Sequence, residues 1–235
     1  MADYRMYAGK PVVIKPKSTN FGLGITILKH NYDETDFKAA LQIAFEHDNT
    51  VLIEKFIPGR EFRIFIINDE VVGILHRVPA NVTGDGVLNI GQLIDRKNED
   101  PLRGKGYRTP LEKIRKGREE EMFLKQQGMD FNTVPKEGEV VYLRENSNIS
   151  TGGDSIDFTD DIDDSYKAIA VEAAKALNVK ITGLDMMIQD IHAPATPDNY
   201  AIIEMNFNPA IHIHCYPFKG KNRHLNHKMI RALGF

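Results

Sequence analysis

A carboxylate and an amide lie two residues apart where an apolar segment of this sequence ends. The segment covers residues 200–203, and Glu204 and Asn206 follow it. Side chains on a strand alternate between its two faces, so these two groups would point the same way. Their oxygen atoms suit Mg²⁺ better than zinc. The pair therefore predicts a cation site, although a strand end with two solvated polar residues would show the same pattern.

A second apolar segment with one acidic residue lies a short distance upstream. Residues 181–188 have the composition of a strand, and Asp185 stands inside it. If this strand pairs with the one that ends in Glu204, the three polar side chains can meet. Three oxygen ligands without histidine or cysteine predict a magnesium site that also holds substrate phosphates.

Lysines and glycines follow the first strand of the chain. Lys15 closes a β-branched segment, Lys17 follows a proline, and residues 18–24 contain two glycines. Glycine lets the backbone approach phosphate oxygens closely, and a lysine supplies a point charge. No helix follows the glycines, so the unit is a hairpin and not a Walker or Rossmann turn. An exposed hairpin with solvated lysines is the alternative interpretation.

Two further segments have polar groups in suggestive places. Between the strands at residues 51–54 and 62–67, a bend exposes backbone groups that could pair with an adenine ring, and Glu61 could accept hydrogen bonds from ribose hydroxyls. A buried hairpin with surface charges fits this segment equally well.

The loop at residues 144–153 ends in two glycines, and its hydroxyl, amide and N–H groups suit an anion or a carboxylate.

Composition limits the function classes. The 235 residues have a formal net charge of −3, which does not indicate a broad nucleic-acid surface. No apolar run approaches the roughly 20 residues that span a bilayer. The single cysteine, Cys215, excludes an internal disulfide framework and fits a cytoplasmic location. His212 and His214 have no third nitrogen or sulfur ligand near them, so structural or substrate-lining roles are favoured over a metal pair.

The elements that must position these groups follow from apolar periodicity. Helices are expected at residues 35–46, 163–177 and 225–233, between short strands. Strand pairs with interspersed helices favour an α+β fold with mostly antiparallel sheets. Most of the basic stretch at residues 103–118 is expected to be a solvated helix and loop. The side chains predicted to face the core in the first two helices are Phe37, Ala40, Leu41, Ala44, Phe45, Tyr166, Ile169, Ala170, Ala173, Ala174 and Leu177.

The order of these motifs resembles the ATP-grasp superfamily. A hairpin with lysine and glycine comes first, then Glu-Lys-x-Ile-x-Gly-x-Glu at residues 54–61, then Asp185, and finally Glu204-x-Asn206 with a proline at 209. The resemblance runs from about Lys10 to the end. Residues 15–24 and 206–209 look most like the glutathione synthetase module of the bacterial fusion enzyme that also carries glutamate–cysteine ligase. Cyanophycin synthetase is similar in the loop at 148–153.

The resemblance implies an ATP-grasp fold, in which two α+β subdomains with mostly antiparallel sheets sandwich the ATP site. Residues 1–60 would be the small subdomain, with the phosphate hairpin and the adenine hinge. Residues 61–235 would be the large subdomain, with the metal and substrate side and a polar, lid-like insert at about 84–138. ATP-grasp enzymes carry further sequence ahead of the hairpin, so an N-terminally truncated piece is expected, without the ligase domain of the parent chain.

The resemblance also implies roles for individual residues. Residues implied to bind ATP are Lys15, Lys17, Asn20, Gly22, Gly24, Glu54, Lys55, Phe56, Ile57 and Glu61. The lysines and the hairpin would contact phosphates, residues 54–57 would lie at the adenine, and Glu61 would hold the ribose. Residues implied to bind two Mg²⁺ ions, with Mn²⁺ as an alternative, are Asp185, Glu204 and Asn206. Residues implied to hold the transferred phosphoryl group or the substrate carboxylate are Arg77, Arg144, Asn148, Ser150, Thr151, Gly152 and Gly153, with Lys15 as a further catalytic residue.

The implied reaction joins γ-glutamylcysteine to glycine through an acyl phosphate, with release of ADP and phosphate. Such chemistry needs positioning and charge neutralisation more than a protein nucleophile. The expected partners are these small molecules and the absent ligase domain, with no nucleic acid and no membrane, and a homodimer is compatible. Alternatives are a cyanophycin-type or D-alanine-type ligase, a small-molecule kinase, and a nucleotide-binding fragment without activity. The metal triplet argues against the last of these.

Overall fold

The chain divides into two units, Met1–Pro58 and Gly59–Phe235. A computed structural model describes residues 3–19, 23–29 and 31–235. The division lies close to the boundary predicted at residue 60, whereas the subdomain roles assigned to the two parts stay predictions. Among the described residues, no helix has both the length and the hydropathy that crossing a membrane requires.

The first unit packs one helix on one face of a small sheet. Its elements, after a 3-10 turn at Tyr4–Met6, are β1 (Val12–Pro16), β2 (Thr26–Leu28), α1 (Glu34–Phe45) and β3 (Val51–Lys55). The sheet is antiparallel in the order β2-β1-β3. The alternate residues Val12 and Ile14 of β1 are buried against α1. Asp33 begins the helix, because its carboxylate accepts the N–H groups of Thr35 and Asp36.

The second unit is built on a five-stranded antiparallel sheet. Its elements in chain order are β4 (Arg60–Ile67), β5 (Glu70–Val78), β6 (Asn81–Thr83), α2 (Ile90–Lys97), β7 (Arg103–Gly104), β8 (Leu111–Glu112), α3 (Arg118–Gln126), β9 (Val140–Tyr142), β10 (Asp154–Asp157), α4 (Asp164–Ala176), β11 (Ile181–Ile188), β12 (Tyr200–Asn206), α5 (His212–Cys215) and α6 (Leu225–Ala232). The sheet order is β10-β5-β4-β11-β12, and every pair is antiparallel. This architecture confirms the predicted α+β fold with mostly antiparallel sheets.

The main core of the second unit lies on one face of this sheet. Phe62, Ile64 and Ile66 of β4 are fully buried against α4, which contributes Tyr166 and Ala170. Each such side chain stabilises the fold by roughly 1.5–3 kcal/mol. Because strand side chains alternate, the residues between the apolar ones must project from the opposite face. Arg63 of β4 and Asp185 of β11, which face each other across the two strands, lie on that opposite face.

Short helices cover part of the opposite face. Phe65 of β4 packs there with Cys215 and Leu225. His214 of α5 is fully buried and meets the Phe65 ring edge-on, with 5.4 Å between ring centroids. Burial lowers the pKa of His214 to about 3, so its ring is neutral at physiological pH. His214 and Cys215 are therefore core residues of this face.

The polar insert folds around a core of its own. Ile90, Leu93 and Ile94 of α2 pack with apolar residues of β6 and β9. The prediction of a solvated helix and loop for most of residues 103–118 holds for the exposed loops but is wrong for the helix. These residues form β7, β8 and connecting loops, and the side chain of Arg103 is fully buried. A lid-like role for the insert stays a prediction.

Two apolar residues predicted to face the core are exposed. Phe45 is 51% exposed and Leu177 is 56% exposed. On a helical wheel Phe45 lies about 90° from the centre of the buried face of α1, so it stands at the margin of the contact. Leu177 is the C-cap residue of α4 and follows the last helical residue. The remaining predicted core positions of the two helices are buried or partly buried.

Candidate functional site

A row of charged side chains crosses the sheet of the second unit on the face opposite its main core. We call this row the charged stripe and define it as Arg77, Arg63, Asp185, Glu204 and Asn206. The strand register creates it, because Arg63 lies opposite Asp185 and Asp185 lies opposite Glu204. Side-chain alternation then puts all members on the same face. β11 and β12 are paired, which is the condition under which Asp185 was expected to meet Glu204 and Asn206.

Asp185 lies at the centre of the charged stripe and is only 2% exposed. Its carboxylate forms an ion pair with Arg63, whose Nη2 lies 2.9 Å from Oδ2, and Arg77 Nη2 lies 2.9 Å from the same oxygen. Burial raises the pKa of Asp185, but the hydrogen bond from Arg63 and the charge of Arg77 together hold it below the ordinary value. Asp185 is therefore an anion at physiological pH.

Glu204 and Asn206 lie side by side, as predicted from their spacing. Asn206 Nδ2 donates to Glu204 Oε1 at 3.1 Å. A β-bulge follows the Asp185–Glu204 pair, since Met186 lies opposite Ile202, two residues before Glu204. The two side chains are accessible, whereas Asp185 is buried beneath its arginines.

The three oxygen-bearing side chains fit a magnesium ion by their chemistry. Two carboxylates and one amide on neighbouring strands are hard ligands, and Mg²⁺ commonly takes one or two carboxylates and completes its shell with water and phosphate oxygens. The described residues contain no group of three His, Cys, Asp or Glu side chains that could hold a metal. The third ligand here is the amide of Asn206. Arg63 and Arg77 already contact the Asp185 carboxylate, so a cation there would share that carboxylate with them.

Arg63 is the residue of the charged stripe that the sequence interpretation missed. It stands in a strand whose next four residues are apolar, at a position that alternation assigns to the same face as Glu61. A charged residue inside an otherwise buried strand was the available signal, since such residues are rarely buried unless they are paired.

Arg77 contacts two residues that were predicted for different roles, Asp185 for the metal and Glu61 for the ribose. It forms ion pairs with Asp185 and with Glu61, and the Ser147 hydroxyl also donates to Glu61. Within the part of the chain that the structure describes, Arg77 Nε is buried and has no hydrogen-bond partner. A buried donor without a partner is costly, and an oxyanion would satisfy it only if neighbouring groups moved aside to admit it. Arg77 therefore fits the predicted role at a phosphoryl group or carboxylate.

Arg144, the other predicted anion ligand, is directed elsewhere. Its Nε donates to Glu120 Oε1 at 2.6 Å, and its Nη2 also pairs with Glu119. Glu120 is buried in α3 of the insert. The structure thus ties Arg144 to the insert and does not bring it into the charged stripe.

The predicted substrate loop at residues 148–153 is a tight turn. It contains a 3-10 segment, Ile149–Thr151, and the Thr151 hydroxyl donates to Asn148 O at 2.9 Å. Gly152 has a φ of +94°, and a Cβ there would lie 2.8 Å from Ile114 Cα, so this position requires glycine. The loop leads into β10, where Ser155 lies opposite Arg77. It therefore ends next to the charged stripe.

Among the residues of the first unit predicted to bind phosphate, Lys15 lies on the sheet face that α1 leaves uncovered, because it alternates with the buried Val12 and Ile14. Lys15 Nζ pairs with Glu54 Oε2 at 2.7 Å, and Lys17 is exposed. Gly24 has a φ of +76°, and a Cβ there would lie 2.7 Å from His47 Cδ2. Asn20 and Gly22 lie outside the described residues.

The predicted adenine hinge is partly engaged within its own unit. The Phe56 N–H donates to Pro11 O at 3.0 Å, so that donor is already used in this structure. Lys29 Nζ lies 5.6 Å from the centroid of the Phe56 ring. Lys55 is exposed and Ile57 is half-buried. An adenine at this edge would have to use other backbone groups than the Phe56 N–H.

Comparison with known proteins finds a matching family over part of the chain and relatives along nearly all of it. Residues 2–89 match the family described as D-ala D-ala ligase C-terminus. The chain is 63% identical over 235 residues to the glutathione biosynthesis bifunctional protein GshAB of Desulfotalea psychrophila, and covers 30% of that protein. It is 57% identical over 231 residues to the protein of the same name from Clostridium perfringens, where the match covers 98% of this chain and 30% of the relative.

A solved structure extends the likeness to three dimensions. A bifunctional glutathione synthetase from Pasteurella multocida is 47% identical and superimposes with a TM-score of 0.74, covering 98% of this chain and 32% of that one. The chain thus spans about 30% of the length of the relatives that it matches. It is therefore homologous, along nearly its whole length, to part of the bifunctional glutathione biosynthesis proteins and shares the fold of that part.

Proposed function

We propose that the protein containing this chain is an ATP-dependent carboxylate–amine ligase that joins γ-glutamylcysteine to glycine. The observation that carries the proposal is the strand register that gathers Asp185, Glu204 and Asn206 beside two arginines. This arrangement offers oxygen ligands for a cation and guanidinium groups for an anion on one face. The names of the relatives supply the substrate class. The relatives also motivate the proposal that the chain works joined to a domain that makes γ-glutamylcysteine.

Asp185, Glu204 and Asn206 are proposed to hold Mg²⁺, with two ions as the expected number and Mn²⁺ as a substitute. Bound there, the cation would supply charge neutralisation at the phosphates of ATP. The low pKa of Asp185 favours this role, because a ligand carboxylate must be ionised. Asn206 holds Glu204 in place by its hydrogen bond and orients the carboxylate.

Arg77 is proposed to bind the transferred phosphoryl group or the carboxylate that receives it. Its free Nε and its planar, permanently charged guanidinium suit both. Arg63 remains on Asp185 and keeps that carboxylate in a defined orientation.

In the first unit, Lys15 and Lys17 are proposed to contact phosphates, and Glu54 and Lys55 to lie at the adenine. Further proposed contacts are Glu61 at the ribose, and Arg144, Asn148, Ser150, Thr151, Gly152 and Gly153 at the acid substrate.

The proposed reaction has two steps, in which the protein supplies no covalent nucleophile. The carboxylate of γ-glutamylcysteine attacks the γ-phosphorus of ATP, and the bond to ADP breaks to leave an acyl phosphate. The amine of glycine then attacks the acyl carbon, loses a proton, and displaces inorganic phosphate to form the amide. The arginines and lysines bind and orient the oxyanions at each step.

A product assay with a panel of substrates tests this function. The protein at the length of its relatives is incubated with ATP, Mg²⁺, γ-glutamylcysteine and one of several amines, among them glycine and D-alanine. ADP, phosphate and the amide product are quantified. We expect glutathione with glycine, in equal amounts to ADP and phosphate. A requirement for another amine would overturn the substrate assignment, and the absence of ADP with every acid and amine would overturn the ligase.

A further inference from the structure

Arg103 is a buried arginine outside the charged stripe. Its side chain is fully buried, and its Nη2 forms an ion pair with Asp154. Its Nη1 donates to Glu112 O at 2.9 Å and to Gly152 O at 3.0 Å. One guanidinium therefore holds a strand of the insert, the start of β10 and the loop at residues 148–153 together.

A second cation and an aromatic ring complete this cluster. Lys97 Nζ lies 2.7 Å from Asp154 Oδ2 and 3.0 Å from Asn81 Oδ1. The Phe218 ring centroid lies 5.3 Å from Lys97 Nζ and 5.5 Å from the guanidinium carbon of Arg103. Asp154 is therefore neutralised from two sides, and the ring packs against both cations.

Stability alone does not account for a buried cluster of this kind. A buried ion pair often stabilises a fold no more than well-packed apolar residues would. Arg103 uses its rigid fork on two backbone carbonyls, which an apolar residue could not hold. One of those carbonyls belongs to Gly152, the residue whose left-handed backbone lies against Ile114 of the insert. The loop is thus held at one defined point by the insert.

We propose that Arg103 is a positioning residue that fixes the loop at residues 148–153 for the acid substrate. The inference rests on the proposed function in one respect, the assignment of this loop to the acid substrate. The contacts provide the route. Arg103 holds Gly152 O and Asp154, and the next residue, Ser155, lies opposite Arg77. Loss of the fork would let the loop move relative to the charged stripe.

Hydrogen exchange of the 235-residue chain tests the positioning itself. Arg103→Lys keeps a charge beside Asp154 but has one nitrogen in place of the two that reach the carbonyls and Asp154, and Arg103→Met removes the charge as well. Arg115→Met, at an exposed arginine of the same insert, is the control. The amides of Thr151, Gly152 and Gly153 donate within the loop, so their exchange reports its order. We expect exchange at least tenfold faster in both Arg103 variants and unchanged exchange in the control. Unchanged exchange in Arg103→Lys would overturn the proposal.

Steady-state kinetics of the ligase test the link to the substrate. In Arg103→Lys we expect a KM for the acid substrate about tenfold higher, with the KM for ATP within twofold of the parent. If the KM for the acid substrate in Arg103→Lys equals that of the parent, the positive charge alone is sufficient, and the positioning role is overturned. If no acid supports turnover, the proposed function fails, while the exchange result still decides whether Arg103 orders the loop.

Discussion

Replacing Arg63 by methionine should destabilise the second unit by about 3 kcal/mol at pH 7. The change removes the ion pair with Asp185, which is 2% exposed, and leaves apolar volume in place of the guanidinium. Removing one partner of a buried ion pair costs roughly 3–5 kcal/mol, because it leaves a buried charge. Arg77 Nη2 stays 2.9 Å from Asp185 Oδ2 and compensates part of that charge. The expected cost therefore lies at the lower end of the range.

The destabilisation should depend on pH in a defined direction. In the parent protein the pKa of Asp185 is lowered, so its ionisation stabilises the fold above the unfolded-state pKa of about 3.9. That contribution is lost as pH falls through the folded-state pKa. Without Arg63, less positive charge counteracts the effect of burial, so the pKa of Asp185 should rise. The difference in unfolding free energy between parent and variant should therefore shrink as pH falls from 7 to below about 4.

Urea unfolding followed by circular dichroism measures both quantities. The experiments are run with a chelator at pH 7 and at pH 3.5, and the transition of the second unit is analysed. Arg231→Met, at an exposed position of α6, is the matched control and should change stability by less than about 0.5 kcal/mol. A cost below about 1 kcal/mol for Arg63→Met at pH 7, or an equal cost at both pH values, would refute the reasoning.

Three further outcomes are expected. Glu204→Gln should leave the circular dichroism spectrum unchanged but lower ligase turnover at least about 100-fold, because a neutral amide is a weaker magnesium ligand; normal turnover and Mg²⁺ dependence would contradict the metal assignment. Gly152→Ala should cost more in urea unfolding than Gly128→Ala, since both have positive φ but only the first would place a Cβ 2.8 Å from Ile114 Cα; equal costs would mean that the contact relaxes. The His214 ring should show no protonation by NMR between pH 5 and 8, because burial lowers its pKa to about 3, and a midpoint near 6.5 would show that it is exposed in solution.

Much of the secondary structure around the site could be predicted from local sequence. The strand Ile181–Ile188 has the predicted bounds, and the first helix, Glu34–Phe45, lies within one residue of the predicted bounds at each end. Apolar alternation, helical periodicity and capping side chains are local signals, so a single sequence contains them. The pairing that brings Asp185 to Glu204 was also predictable, because these two strands are neighbours along the chain. The exposure of Phe45 and Leu177 could not be predicted, because the width and length of a helix's buried face depend on what packs against it.

The sequence by itself determined the succession of strands along the chain, the glycine turns, and the acidic and amide side chains at the strand ends. What only the tertiary structure decided is where the arginines go. Arg63 meets Asp185 across 122 residues of sequence, Arg103 meets Asp154 across 51, and Arg144 turns to Glu120 in the insert. A long charged side chain has no periodic signature that separates a solvated position from a buried one. Its burial is favourable only when a remote chain segment supplies the opposite charge, and that partner is set by the packing of the whole unit.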